Sequence, residues 1–150
     1  MMKIEGLDAV RLMLLQDQDK AVDAARKQMT RAAKEVQKEA VLNAPVDLGN
    51  LEKAIQIDSP RTSRAELKEI TVYVASEAGG VDVGRYAEIV HERYGDPGGP
   101  AGTHGPGPGT LSKMAANPGR FIGKKYLERA GVKVDADYTA RMSLAVKSVI

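Results

Sequence analysis

The run Asn43-Ala44-Pro45-Val46-Asp47-Leu48-Gly49-Asn50-Leu51 divides the chain into two patterns. On its N-terminal side Val22, Ala25, Met29, Ala32, Val36 and Ala40 recur at steps of three and four, which places them on one helical face. Proline disfavours helical geometry in the residue before it, so Asn43-Ala44-Pro45 stops that helix. On the C-terminal side the period becomes two. Ile55 and Ile57 share a face within Leu51 to Asp58, as do Ile70, Val72 and Val74 within Leu67 to Ser76. Within the run itself Pro45 ends the helix, Asp47 can hydrogen-bond its own turn, and Gly49 permits the positive φ that launches a strand.

Working outward, helix is expected over 7–43. Leu7, Val10, Met13 and Leu14 form an earlier apolar stripe, readable as a separate short helix before Gln16 to Asp19. Asp23 to Lys27 and Arg31 to Glu35 have the spacing to pair one turn apart. The turn residues Ser59 to Arg64 make the two alternating runs an antiparallel hairpin, and Gly79-Gly80 breaks its second strand. Tyr86 to Tyr94 fits either period and is read as a third strand. Sheet is therefore expected over about 51–94.

Residues 95–109 are of different material: eleven of the fifteen are Gly or Pro. Such a segment buries little apolar surface and reads as a long loop extending to about 119. Its glycines make ordering costly, so order is expected only against neighbouring molecules. Helix resumes over 120–150. Ile122, Tyr126, Leu127 and Ala130 form a short helix that Gly131 can cap, and a last helix starts at Asp135 or Asp137. The fold expected is α+β in one domain, with a long N-terminal helix packed on a small antiparallel sheet. A Gly/Pro-rich loop and short C-terminal helices complete it.

Composition narrows the chemistry. The 150 residues carry a formal charge of +2, 28 % charged and 43 % hydrophobic residues, which is a globular balance. Aromatic residues are 4 %, so the core must rest on small and aliphatic side chains. Cysteine is absent, which excludes disulfides, thiolate zinc sites and cysteine nucleophiles. No apolar run approaches the ~20 residues that span a bilayer, and the N-terminus lacks a signal peptide's apolar stretch.

Chemical motifs are weak throughout. His91 and His104 lack the convergent ligand set a metal needs, so no metal or cofactor is expected. Gly105 to Lys113 superficially resembles a phosphate-binding loop, but its prolines remove the required N–H donors. The serines include no Gly-x-Ser-x-Gly elbow, and no enzyme signal emerges. The basic residues are more suggestive. Lys113, Arg120, Lys124, Lys125, Arg129 and Lys133 face one acid, Glu128, while Lys20, Lys27, Arg31, Lys34 and Lys38 lie near one polar face of the first helix. A solvated face is the plain reading of both sets; an acidic protein rim or duplex phosphate is the functional one.

The order of motifs resembles a known family. Lys3-Ile4-Glu5-Gly6-Leu7-Asp8-Ala9-Val10 is similar to the opening of a family of tailed-bacteriophage morphogenesis proteins. Ala44-Pro45-Val46-Asp47-Leu48-Gly49-Asn50-Leu51 resembles that family's Ala-Pro-Val-Asp-Thr-Gly-x-Leu block apart from Leu48. Tyr86-Ala87-Glu88-Ile89-Val90-His91-Glu92 and Lys125-Tyr126-Leu127-Glu128-Arg129-Ala130 follow in the family's order. The resemblance implies a non-enzymatic tail-completion or head–tail joining protein in the virion neck, made in the host bacterial cytoplasm. It implies a ring, expected as a hexamer, between a portal, adaptor or stopper protein and a tail tube or tail terminator, with DNA in the channel. Lys113, Arg120, Lys124, Lys125, Arg129 and Lys133 are the expected interface, and Pro45, Asp47 and Gly49 the architectural turn. A small double-stranded DNA-binding module is the alternative reading.

Overall fold

The computed structural model describes residues 7–46, 48–58, 69–96 and 105–150, with side chains from Leu12 onward. The expected turn at 59–64, Asp47, His104 and most of the Gly/Pro-rich loop lie outside the described residues.

One helix, α1 (Leu7–Asn43), runs without a break for 37 residues, or roughly 55 Å at 1.5 Å per residue. The separate short helix expected before Gln16 is thus continuous with the rest. Nothing between Leu14 and Lys20 breaks a helix, since Gln and Lys are good helix formers and no Gly or Pro intervenes. Ala33, Ala40 and Ala44 are buried, and Val36 packs beside them.

Gly49 adopts φ +77° and ψ 5°, and the chain then forms a short helix, α2 (Asn50–Ala54), before strand β1 (Ile55–Asp58). The left-handed glycine therefore launches a helical turn rather than a strand. β1 pairs antiparallel with β2 (Thr71–Val74), with Ile55 opposite Val74 and Ile57 opposite Val72, as the alternation predicts. The amide of Ala75 extends this pairing to the Ala54 carbonyl at 2.7 Å. Gly79 and Gly80, both with positive φ, do not simply end a strand. They turn a second two-stranded hairpin, β3 (Glu77–Ala78) with β4 (Val81–Asp82).

The expected third strand is helix α3 (Gly84–Arg93). Its buried residues Ala87 and Val90, with the buried caps Val83 and Tyr94, recur at steps of four, three and four, and that stripe outweighs the alternation of Ala87, Ile89 and His91. The loop expected to reach 119 is interrupted by α4 (Pro108–Ala116), where Pro108 occupies the first turn and the missing amide costs no hydrogen bond. The expected C-terminal segments join in one helix, α5 (Tyr126–Lys147). Gly131 lies within it, half-buried at the edge of a hollow facing α1, and so does not cap a helix end.

α5 packs along α1 in the antiparallel sense, since Lys133 reaches Glu39 while Arg141 reaches Glu35. The α+β architecture holds: the long helix lies against the small sheet on one side and α5 on another. Tyr126, fully buried, joins Ala40, Ala44, Ile55, Val83 and Val90 in the core. Among the described residues no helix is long and apolar enough to cross a membrane.

Candidate functional site

An α-helix ends with four carbonyls that lack internal partners. At the end of α1 these lie in a buried corner, because Asn43, Ala44 and Pro45 are all buried. Residues from the far half of the chain meet two of them, and others just beyond the helix end. The Lys113 ammonium, on α4, donates to the Val41 carbonyl, to the Ala44 carbonyl at 2.8 Å, and to the Glu52 carboxylate. A cation there also complements the negative end of the helix dipole. The Gly123 amide donates to the Asn43 carbonyl at 2.9 Å. One turn beyond, the buried Thr110 hydroxyl donates to the Val46 carbonyl and accepts from the Val46 amide, both at 2.9 Å. Tyr94 donates to the same hydroxyl at 3.4 Å.

The other expected interface cations are also engaged within the chain. Arg120 donates to Glu39 at 2.7 Å and to Asn43 at 2.9 Å, and Lys133 meets the same Glu39 oxygen at 2.9 Å. The hydrogen bond from Arg120 holds the Glu39 carboxyl below its ordinary range, against the opposing effect of burial and with further help from Lys133. Lys124 pairs with Asp96 at 2.8 Å, and Lys125 with Glu92 at 2.6 Å. Hydrogen bonding to Lys125, then to His91, lowers the Glu92 carboxyl. Arg129 donates to the carbonyls of Phe121, Gly123 and Lys124 and stacks 4.5 Å from the Phe121 ring centre. Burial lowers its pKa, with the Arg120 charge adding to the effect.

Lys125 also carries strain. Its φ of 56° places a non-glycine residue in the left-handed region, where the cost is about 1–2 kcal/mol. Its amide bonds to the His91 carbonyl at 2.7 Å, so α3 and the start of α5 hold that geometry together. Beside it the Tyr126 ring meets His91 edge-on at 4.9 Å. Burial, with the nearby Tyr86, pushes the Tyr126 phenol up to about 12.

The structure thus brings Lys113 and Arg120 to the α1 C-terminus, Arg120 and Lys133 to Glu39, and Lys124, Lys125 and Arg129 to the α3–α5 junction. Of the turn residues, Pro45 is buried and Gly49 takes the expected positive φ; Asp47 lies outside the described residues. Thr110 and Tyr94, which join α4 to the helix end, carried no sequence signal, because Thr110 stands next to a Gly/Pro run and its partner Val46 is 64 residues away. Among the described residues no cluster of His, Asp or Glu could hold a metal.

The first helix differs. Asp23 pairs with Arg26 at 3.5 Å, and Glu35 is taken by Arg141 of α5 at 2.7 Å. The expected pairs of Asp23 with Lys27 and of Arg31 with Glu35 do not form. A guanidinium anchored on a packed neighbouring helix competes well against a mobile side chain one turn away.

Residues 11–91, more than half of the chain, match the family described as "Bacteriophage HK97-gp10, putative tail-component". The chain belongs to this HK97-gp10-like family. Membership makes it a phage structural protein of the tail-component class. No curated protein and no solved structure matches it. Relative to the matched region, the Lys113 cap, the Thr110 bridge and α5 all lie C-terminal. In this HK97-gp10-like chain they close the corner where α1 ends, well inside the match.

Proposed function

We propose that this chain is a non-enzymatic ring subunit at the head–tail junction, a tail-completion or neck protein folded as a single domain. Its family membership supports a structural phage role. The geometric observation that carries the finer reading is the N-terminal part of α1. Leu12, Met13, Leu14 and Leu15 are each more than half exposed. Successive helical residues point about 100° apart, so four in a row cover every side of the rod. No described part of the chain covers the helix there, and an apolar rod left bare on all sides suits a neighbour in an assembly.

A head-to-tail contact repeated around an axis gives a ring when its rotation closes, and a hexamer would match a tail tube. Its neighbours would be a portal, adaptor or stopper protein and a tail tube or tail terminator, with DNA in the channel. Of the six interface candidates, Lys124, Lys125 and Lys133 keep side-chain exposures of 45 %, 42 % and 59 %. They are the ones an acidic partner rim can reach, while Lys113 serves the helix end.

Negative-stain images of phage carrying Lys124→Glu and Lys125→Glu test this reading, with the Gln pair as a milder control that avoids facing Asp96 and Glu92 with like charge. Separate full heads and free tails are expected. Normal virions in normal yield would remove these residues from the interface, and purified necks lacking the protein would remove the whole reading.

A further inference from the structure

Lys27, Arg31, Lys34 and Lys38 occur at intervals of four, three and four, so they line one face of α1 over roughly 16 Å of helix axis. All four are exposed, and among the described residues none has a hydrogen-bond or ion-pair partner. Glu35, the acid within this stretch, borders the same face, but its carboxylate is taken by Arg141 of α5 at 2.7 Å. The hollow along the face, about 510 Å³, is lined only by α1 side chains, Arg26, Thr30 and Glu35 among them, while Lys27 and Arg31 also border a hollow shared with Ala145, Ser148 and Val149 at the end of α5. The cations at 113–133, by contrast, are all engaged within the chain.

We propose that this α1 stripe binds the phosphate backbone of duplex DNA without reading its sequence. A straight row of unpaired cations matches a polymer carrying one negative charge per ~1.7 Å of axis. The face offers no aromatic ring for stacking bases, which disfavours single strands. It also lacks the aromatic and apolar anchors around which protein interfaces concentrate their binding energy, which disfavours an acidic protein as its ligand. The proposal stands apart from ring formation: a ring without DNA affinity, or DNA affinity without a ring, would separate the two.

The test uses the purified full chain and two fluorescein-labelled 30-base-pair duplexes of unrelated sequence, followed by anisotropy across a salt series. Equal binding of both duplexes is expected, with log affinity falling against log salt at a slope near −3.6 for four phosphates per chain, each contributing about −0.9. Arg31→Gln should reduce the slope by about one. The variant carrying Lys27→Gln, Arg31→Gln, Lys34→Gln and Lys38→Gln should weaken low-salt binding at least tenfold. Its circular dichroism should be unchanged, because all four residues are exposed. Lys124→Gln with Lys125→Gln should bind as the parent does. Parent-like binding by the quadruple variant, preference for one duplex, or no binding by the parent in 50 mM salt would overturn the proposal. So would polyglutamate competing as well as duplex at equal charge concentration.

Discussion

The Lys113 ammonium lies 2.8 Å from the Ala44 carbonyl oxygen, closing the end of α1 from 69 residues further along the chain. The α1 C-terminus, the first residues of α2 and α4 thereby become one unit. Lys113 has an exposure of 12 %, so its three acceptors have little water to fall back on.

Replacing Lys113 by Met keeps the stem and removes the cap. The loss is expected to be on the order of 2 kcal/mol, lowering the melting temperature of a chain this size by about 4–8 °C. Lys133→Ala removes an exposed cation from a carboxylate that Arg120 still holds, and should stay within about 0.5 kcal/mol of the parent. Equal effects of the two in calorimetry would show that the cap contributes no more than a surface ion pair.

Thr110→Val removes the hydroxyl and leaves the Val46 amide without its partner. Destabilisation by about 1–3 kcal/mol is expected, and Thr110→Ser should recover most of it. Urea midpoints of the three proteins decide the matter; a Val variant as stable as the parent would mean that water replaces the bridge.

Glu39 gives a pH dependence with a definite sign. Its carboxyl is lowered in the folded state, so the unfolded chain binds the proton more tightly and stability rises with pH. The contribution is complete above the ordinary value of 4.5 and fades as pH falls through the lower folded value. Glu39→Gln should therefore cost stability at pH 7 and progressively less below about pH 4. A parent-to-variant gap constant from pH 7 to pH 3 would contradict this.

Gly49 sits at φ +77°, where a Cβ costs about 1 kcal/mol or more. Gly49→Ala should lower stability by that amount, and Gly49→Asn by less, since asparagine tolerates this region. Chemical denaturation of both variants gives the ranking, and Asn being the worse of the two would rule out backbone strain as the cause.

Much of the fold was legible locally. The end of the long helix, the antiparallel hairpin and its register follow from Pro45 and from the alternation of Ile55, Ile57, Val72 and Val74. These are effects of neighbours a few residues apart, which a linear pattern records. Tyr86 to Tyr94 reads as a strand because alternation and helical spacing overlap in so short a run; burial of Val83, Ala87, Val90 and Tyr94 against the core selects the helix.

The sequence by itself determined the α+β class, the family-like order of motifs and the row of cations on α1. Only the tertiary structure decided which cations are available to a partner. Arg141 takes Glu35, and Lys113 and Arg120 turn inward to acceptors on the first half of the chain, while Lys133 meets Glu39 yet stays exposed. Charge counts along a sequence register how many cations are present. Whether each is paired depends on acids and carbonyls brought close by packing, and Coulomb and hydrogen-bond energies follow distance in space rather than separation in the chain.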